Sequence, residues 1–226
     1  MKIAVLTLTR DRLDYTKHCF ATLRRNAGCD FDHYVFDNGS TDGTPEWLVD
    51  EYKPKKMTSA RSNLGIHTAL NFLLDDMDLA DCDLVVNVDN DCEVVTPGTL
   101  HRLAEVILAD PEQLLLLSPL IVGLRNRPPV RWIETVHGAR VGITGQIGGI
   151  FMPIPPLLLE EGFRFDESAP VWGGNDELLS ATVKERGGTV GYLLDWEANH
   201  YLTTEGQAAD KPEYFARRVR EGGPPL

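Results

Sequence analysis

The sequence predicts an α/β fold: a mixed, mostly parallel sheet flanked by helices. Two observations support this prediction. Apolar runs of strand length alternate with helical patterns through the first half of the chain, and polar residues directly follow the apolar runs. This alternation is typical of parallel strands joined by crossover helices, whose carboxyl ends share one edge of the sheet. With 226 residues, 42% of them hydrophobic, the chain can bury the core of one domain.

The elements follow from the same patterns. Strands are predicted at residues 3–8, 33–36, 84–88, 114–117 and 190–194. Helices are predicted at residues 14–25, 46–52, 68–74, 176–185 and 214–220, and a further helix is predicted to end at Leu108. Residues 11–14 are expected to cap the first helix, and Thr44-Pro45 and Thr96-Pro97 to begin two later ones. Gly187-Gly188 ends a helix in this prediction, whereas the prolines at 153, 155 and 156 predict irregular backbone.

Charge and cysteine content restrict the function classes. A formal net charge of −12 argues against broad binding to nucleic acid or to an anionic membrane. The chain nevertheless has two arginine clusters, one of Arg125, Arg127 and Arg131 and one of Arg217, Arg218 and Arg220. The simplest interpretation is that they are solvated faces, with a small anion-binding patch as the alternative. The four cysteines lack a Cys-x-x-Cys spacing, which indicates reduced thiols. The apolar runs are too short for a signal peptide or a span of ~20 residues, so a cytoplasmic protein without a membrane anchor is predicted.

The segment Asp89-Asn90-Asp91 directly follows an apolar strand of residues 84–88. Side chains two apart in a strand lie on one face, so a bend after Asp89 can aim both carboxylates outward. Mg²⁺ and Mn²⁺ prefer oxygen ligands and often lie between carboxylates and a substrate diphosphate. The pattern therefore predicts a metal site, with a solvated acidic turn as its alternative.

Three other polar segments follow predicted strands or begin a helix. Thr9-Arg10 ends the first strand, and Asp37-Asn38 opens a loop that is also rich in ordinary turn residues. The third segment, residues 61–71, opens a helix whose first amides could meet a phosphate, or whose start is simply capped by its own side chains.

Further motifs follow in a characteristic order. They are Thr9-Arg10, Asp37-Asn38-Gly39-Ser40-Thr41-Asp42-Gly43-Thr44, Asn63-x-Gly65-x-x-x-Ala69-x-Asn71, Asp89-Asn90-Asp91, Gly148-Gly149 and Trp172-Gly173-Gly174-Asn175-Asp176. The family 2 glycosyltransferases with the GT-A fold, which use nucleotide-sugar donors, carry these motifs in the same order. The chain resembles that family over roughly residues 3–200.

The resemblance implies a donor site and a metal site. The donor residues it implies are Thr9, Arg10, Asp37, Asn38, Arg61, Asn63, Asp89 and Asn90. Asp89 and Asp91 would hold Mn²⁺ or Mg²⁺ against the diphosphate, with His200 completing the site, although a lone histidine is often structural. A UDP-sugar is the donor that family habit favours.

The resemblance also implies a catalytic base and an acceptor site. Asp176 would take the proton of the acceptor hydroxyl, and its place in the first turn of a helix favours the ionised form. The alternative role is helix capping. The acceptor residues implied are Trp172, Gly173, Gly174 and Glu177. Asn175 and Leu178 stand where the family usually has acidic residues, and this departure puts acceptor binding there in question.

These inferences predict a metal-dependent, inverting transferase. The expected domain spans residues 1–202, with a nucleotide-sugar half (1–95) and an acceptor half (96–202), and a tail of 203–226 carrying a short helix. The acceptor class stays open among glycan, small molecule, protein and, least favoured, a hydroxymethylated DNA base. The rival functions are a non-catalytic nucleotide-sugar-binding module and a haloacid-dehalogenase-like phosphatase, whose pattern Glu93 does not match.

Overall fold

The computed structural model describes residues 1–77, 81–124 and 127–223, so Arg125 of the first arginine cluster and the last three residues of the predicted tail lie outside the described residues. The strands are β1 Ile3–Thr9, β2 Asp32–Asp37, β3 Lys56–Ser59, β4 Leu84–Val88, β5 Cys92–Val94, β6 Leu115–Val122, β7 Trp132–Val136, β8 Ala139–Ile143, β9 Phe151–Ile154 and β10 Thr189–His200. The helices are α1 Leu13–Asn26, α2 Thr44–Trp47, α3 Ile66–Asp76, α4 Thr99–Leu108, α5 Pro156–Glu160, α6 Asn175–Glu185, α7 Thr204–Asp210 and α8 Pro212–Arg220, with a π-helical turn, Leu48–Tyr52, continuing α2.

The first sheet has the order β3-β2-β1-β4-β9, in which the first four strands are parallel and β9 is antiparallel to β4. β1 and β4 are apolar almost throughout because they are central strands with both faces buried. The predicted α/β class with a mostly parallel sheet is therefore confirmed. The carboxyl ends of β1, β2 and β4 meet at one edge, where the polar segments begin.

The second sheet has the order β5-β10-β8-β7, and β6 pairs in parallel with β10. β10 runs for 12 residues, well beyond the predicted 190–194, because strand pairing continues past the charged residues that break its apolar pattern. Its register with β6 shifts between Leu193 and Glu197, and its last residues pair with β5. This extension carries His200 to the end of β4, opposite Cys92.

Several local predictions were wrong for identifiable reasons. The expected irregular segment contains β9, where Pro153 lies opposite Val86 on an edge strand, a position that tolerates the missing N–H. Helix α4 begins at Thr99, after Gly98, and not at Thr96-Pro97. The short strands β3, β5 and β7 and the helices α5 and α7 had no clear sequence signal. The helix end at Gly187-Gly188 is confirmed.

The first helix is capped from a distance and not by residues 11–14. Its N-cap residue Arg12 makes no side-chain cap, and the Leu13 amide donates instead to Asp42 Oδ2, at 2.8 Å, in the loop after β2. Among the described helices, none has the length and apolar character that crossing a bilayer requires.

Candidate functional site

A cavity of about 300 Å³ lies at the carboxyl ends of β1 and β4. Its walls come from the loops after these strands, from the start of α3, from the segment before α6, from the end of β10, and from α7 and α8. The lining residues are Leu8, Thr9, Arg10, Arg12, Asn38, Asn63, Ile66, Asp89, Asn90, Asp91, Ile150, Val171, Trp172, Asn175, His200, Gln207, Tyr214, Phe215 and Arg218.

The ends of β1 and β2 are tied together by hydrogen bonds. Thr9 Oγ1 donates to Asp37 Oδ1 at 2.9 Å, and the Ser40 amide donates to Asp37 Oδ2 at 3.0 Å. Asn38 Oδ1 accepts from the Leu64 amide at 2.8 Å, which joins the β2 loop to the loop before α3. Asp37 is buried and braces this part of the wall without lining the cavity.

The Asp89-Asn90-Asp91 segment forms a turn between β4 and β5. The Asp89 amide donates to the Ile150 carbonyl at 2.9 Å, and Asn87 Nδ2 donates to Asp89 Oδ1 at 3.0 Å. Since β5 pairs with the end of β10, His200 lies beside Asp91, with its Nε2 3.3 Å from Asp91 Oδ2. The tertiary pairing of two strands far apart in sequence thus assembles this end of the cavity.

Arg12 supplies a positive charge to this acidic segment. Its guanidinium donates to Asp91 Oδ2 at 3.0 Å and to Asn90 Oδ1 at 3.0 Å. Arg12 and Asp11 both adopt a left-handed backbone conformation, with φ of 58° and 52°. Because non-glycine residues rarely adopt it, two in succession store strain in the segment that brings Arg12 to the cavity wall. Asp11 is held by the Thr41 amide, which donates to its Oδ1 at 2.7 Å.

The two carboxylates have opposite electrostatic surroundings. Burial and the negative charge of Asp91 raise the pKa of Asp89 above its ordinary value. Burial alone would also raise the pKa of Asp91, but the charge of Arg12 and the hydrogen bond from His200 hold it below its usual range. Burial opposes charge on His200, yet the hydrogen bond and charge of Asp91 raise the pKa of the imidazole overall. Asp91 is therefore the stable anion of the pair.

The donor atoms here fit a divalent metal only in part. Carboxylate oxygens and an imidazole nitrogen suit Mn²⁺, and Asp91 Oδ2 and His200 Nε2 already converge. Within the described ranges, however, no group of three or more His, Cys, Asp or Glu side chains is arranged to hold a metal alone. An ion bound here would need further oxygen ligands, which fits cations that commonly share a site with substrate phosphates.

Asp176 lies in the first turn of α6, behind the cavity wall formed by Asn175. Burial raises the pKa of Asp176, while hydrogen bonds from the backbone amides of the turn and from Gln146 oppose that rise. A Cβ on Gly149 would lie 3.4 Å from Asn175 Nδ2 and 3.7 Å from Asp176 Cβ, so the backbone before β9 packs closely against the start of α6.

The loop that carries Trp172 is fixed by α3. Asn71 Nδ2 donates to the Phe165 carbonyl, and the Phe165 amide donates to Asn71 Oδ1, both at 2.9 Å. His67 Nε2 lies 3.1 Å from the Gly173 carbonyl. The Asn63–Asn71 signature therefore combines a cavity residue at its start with loop-bracing residues farther along the helix.

The structure brings most of the predicted site residues to one cavity. Those that line it are Thr9, Arg10, Asn38, Asn63, Asp89, Asn90, Asp91, Trp172 and His200. Those that do not line it are Asp37, Arg61, Gly173, Gly174, Asp176 and Glu177; of these, Arg61, Gly173 and Glu177 are exposed to solvent.

Sequence reasoning missed Arg12 and three tail residues that close the cavity, Gln207, Tyr214 and Phe215, while Arg218, also in its wall, was noted only within an arginine cluster that could bind an anion. Gln207 Nε2 donates to Asp91 Oδ2 at 3.1 Å, and Gln207 Oε1 accepts from Arg12 at 2.8 Å. The guanidinium of Arg12 also lies 4.6 Å from the Tyr214 ring centroid. The sequence predicted a short helix at residues 214–220 and an arginine cluster on it, but not that this helix closes the cavity.

The sequence model described as glycosyl transferase family 2 matches residues 4–142, more than half of the chain. The chain belongs to glycosyl transferase family 2. This confirms the resemblance inferred from the motif order. Among curated protein sequences, none matches this family 2 chain significantly.

Solved structures of similar fold are glycosyltransferases of low sequence identity. GalNAc-T7 with UDP, GalNAc and Mn²⁺ superposes with a TM-score of 0.70 at 14% identity, over 90% of this chain and 44% of that one. S. aureus TarS 1–349 with UDP-GlcNAc gives 0.66 at 16% identity, over 98% and 66%. The mannosyltransferase PcManGT from Pyrobaculum calidifontis with GDP-Man and Mn²⁺ gives 0.66 at 16%, over 99% and 65%.

These likenesses confirm the GT-A fold of this family 2 chain. In each of the three comparisons, it spans less than two thirds of the other protein's length.

Proposed function

We propose that this chain is a metal-dependent, inverting glycosyltransferase that moves a sugar from a nucleoside-diphosphate sugar to an acceptor hydroxyl. One observation carries the proposal: Asp91 and His200 converge inside a cavity whose wall continues to Asn175, next to the candidate base Asp176. Two structural neighbours were solved with Mn²⁺, and the three contain UDP, UDP-GlcNAc or GDP-Man. A UDP-sugar is the proposed donor.

The cavity residues divide into donor-binding and ion-binding groups in this proposal. Thr9 and Asn38 would face the nucleoside, with Asp37 holding the wall behind them. Asn63 and the exposed Arg61 would lie by the ribose or the diphosphate. Asp89, Asp91 and His200 would hold Mn²⁺ or Mg²⁺. When bound, the ion neutralises the charge that develops on the departing nucleoside diphosphate.

The proposed proton acceptor is a carboxylate oxygen of Asp176. In a single displacement, the acceptor hydroxyl gives its proton to Asp176 while its oxygen attacks the anomeric carbon from the face opposite the leaving group. Attack from that face inverts the configuration. Trp172, Gly173, Gly174 and Glu177 would meet the acceptor, and a glycan, a small molecule or a protein fits the net charge of −12 better than modified DNA.

The functional division of the chain follows from these roles. We propose that residues 1–95 bind the nucleotide sugar and that residues 96–202 bind the acceptor and carry the base. Strand pairing interleaves the two parts, because β9 pairs with β4 and β5 pairs with β10. The tail, residues 203–226, contributes two helices rather than the single one expected.

Two variants test the proposal. We expect Asp91→Ala to lose the Mn²⁺-dependent part of its affinity for UDP in calorimetry with Mn²⁺ or EDTA. We expect Asp176→Asn to bind UDP normally but to transfer about 10²–10⁴ times more slowly, the usual contribution of a general base. Equal Mn²⁺-dependent affinity for UDP in the wild type and in Asp91→Ala would refute the assignment of Asp91 as a metal ligand. Full transfer by Asp176→Asn would show that Asp176 is not the general base. UDP binding by the wild type without any sugar transfer would favour the non-catalytic nucleotide-sugar-binding module.

A further inference from the structure

Three N–H groups at the cavity are buried and unused. They are Arg10 Nε, Trp172 Nε1 and Arg218 Nε, and none of them has a hydrogen-bond partner among the described residues. All three belong to residues that line the cavity. These groups can only donate, so they are satisfied only by a ligand that offers acceptor atoms.

The three side chains form one cation–π cluster. The guanidinium carbons of Arg10 and Arg218 lie 5.5 Å and 5.3 Å from the Trp172 ring centroid. Arg10 comes from the loop after β1, Trp172 from the segment before α6, and Arg218 from α8, so three distant parts of the chain meet here. Two guanidinium charges on one indole ring make this part of the cavity strongly attractive to an anion.

An internal anion already lies at this cluster. Both terminal nitrogens of Arg10 donate to the carboxylate of Glu221, with Nη2 2.6 Å from Oε1. Asn63 Nδ2 donates to the same carboxylate at 3.5 Å. The hydrogen bonds from Arg10 lower the pKa of Glu221, which keeps it ionised at neutral pH. The Glu221 carboxylate therefore makes with Arg10 the bidentate contact that two oxygens of a phosphate would make.

We propose that Arg10, Trp172 and Arg218 form a subsite for the diphosphate of the donor, and that Glu221 occupies this subsite when the donor is absent. The inference rests on the proposed function, because the donor is the diphosphate ligand that function requires. A diphosphate brings the acceptor oxygens that the three unused N–H groups lack. A diphosphate that reaches the terminal nitrogens of Arg10 competes for them with the Glu221 carboxylate, and the repulsion between the two anions favours displacement of Glu221.

The displacement does not require the tail to leave. Glu221 is the residue after α8, and the amides of Gly222 and Gly223 that follow it donate to carbonyls of the last turn of the helix, so the backbone there is held independently of the Glu221 side chain. Helix α8 itself is held elsewhere, by the ion pair between Arg217 and Asp11, and Lys211, just before α8, pairs with Asp14 at 2.9 Å. The Glu221 side chain can swing away while Arg218 stays over the indole.

Calorimetry on the full chain tests the subsite with three probes: inorganic pyrophosphate in EDTA, UDP with Mn²⁺, and uridine. We expect Glu221→Gln to bind pyrophosphate and UDP about tenfold more tightly, since one charged competitor is lost, and Arg218→Gln to bind both about tenfold more weakly. Uridine, which has no phosphate, should bind all variants alike. A gain in affinity by Glu221→Gln cannot result from misfolding.

The matched controls make the same charge changes on α8 outside the cavity. Glu213→Gln and Arg220→Gln, both at exposed positions, should stay within about twofold of wild type for every probe. Unchanged pyrophosphate affinity in both Glu221→Gln and Arg218→Gln, or no pyrophosphate binding by any variant, would overturn the inference. If pyrophosphate behaves as expected but no nucleotide binds, the subsite stands and the proposed function fails. Metal-dependent UDP binding that neither variant alters would leave the function standing and the subsite refuted.

Discussion

Replacing Arg12 with methionine would remove the one guanidinium that contacts Asp91 in the described part of the chain. Methionine keeps much of the length and apolar stem of arginine but has no charge or donor. The change removes the 3.0 Å hydrogen bond to Asp91 Oδ2 and those to Asn90 and Gln207, at 3.0 Å and 2.8 Å. The Asp91 carboxylate then keeps two hydrogen-bonding side chains, His200 and Gln207.

The expected loss of stability follows from the burial of this pair. The side chains of Arg12 and Asp91 are only 10% and 11% exposed, so the ion pair is shielded from water. Breaking a buried pair by removing one partner costs about 3–5 kcal/mol of unfolding free energy. Since His200 and Gln207 still hydrogen-bond to the Asp91 carboxylate, we expect the lower end, about 3 kcal/mol.

Urea denaturation in EDTA measures this loss. With an m value of about 3 kcal/mol/M, the midpoint should fall by about 1 M. Arg25→Met is the matched control, because Arg25 is exposed on α1, the helix that follows Arg12, and its loss should change stability by less than about 0.5 kcal/mol. If Arg12→Met is no less stable than Arg25→Met, Arg12 does not compensate the buried carboxylate and the electrostatic reasoning fails.

Repeating the denaturation with Mn²⁺ asks whether Arg12 and the metal share Asp91. A ligand that binds only the folded state stabilises it by RT ln(1 + L/Kd), where L is the free ligand concentration and Kd its dissociation constant. We expect Mn²⁺ to raise the midpoint of Arg12→Met more than that of the wild type, because Asp91 Oδ2 loses its guanidinium donor and the positive charge that would repel the ion. Equal stabilisation of the two proteins would contradict this sharing.

Two further predictions concern Asp176 and Asn71. Burial raises the pKa of Asp176. Because a base must be unprotonated, kcat/KM should fall as the pH is lowered, and the fall should begin above the ordinary aspartate pKa of about 4. A pH–rate profile that is still flat at about pH 4 would refute this role. Asn71→Leu would leave the amide and carbonyl of Phe165 unpaired. Leaving a buried polar group unpaired costs about 1–3 kcal/mol, so we expect a clear loss of unfolding free energy in urea together with a higher KM for the acceptor. Wild-type values for both would show that the loop does not depend on these hydrogen bonds.

The sequence alone predicted the central architecture because its signals are local. The runs that became β1, β2 and β4 are buried on both faces, so hydrophobicity by itself marks them. The polar residues after those strands, Thr9, Asn38, Asp89 and Asp91, were predicted to lie together, because parallel strands end at one edge. Family motif order then added Asn63 and Trp172 to the same cavity.

Edge elements carried no comparable signal. β3 and β7 are short and largely exposed, so their residues need no apolar alternation, and β9 contains a proline that only its edge position tolerates. The extent of β10 was likewise invisible, since its charged residues mask a strand that pairs with β6 and β5.

Only the tertiary structure decided what closes the cavity and how its charges balance. Arg12 faces Asp91, 79 residues away, and Arg10 faces Glu221, 211 residues away. Neither pairing leaves a trace in the periodicity of α1 or α8, because a pattern of apolar residues reports which face of a helix is buried but not what covers it. The sequence therefore determined the fold and the acidic half of the site, while long-range packing decided which arginine pairs with Asp91 and which carboxylate pairs with Arg10.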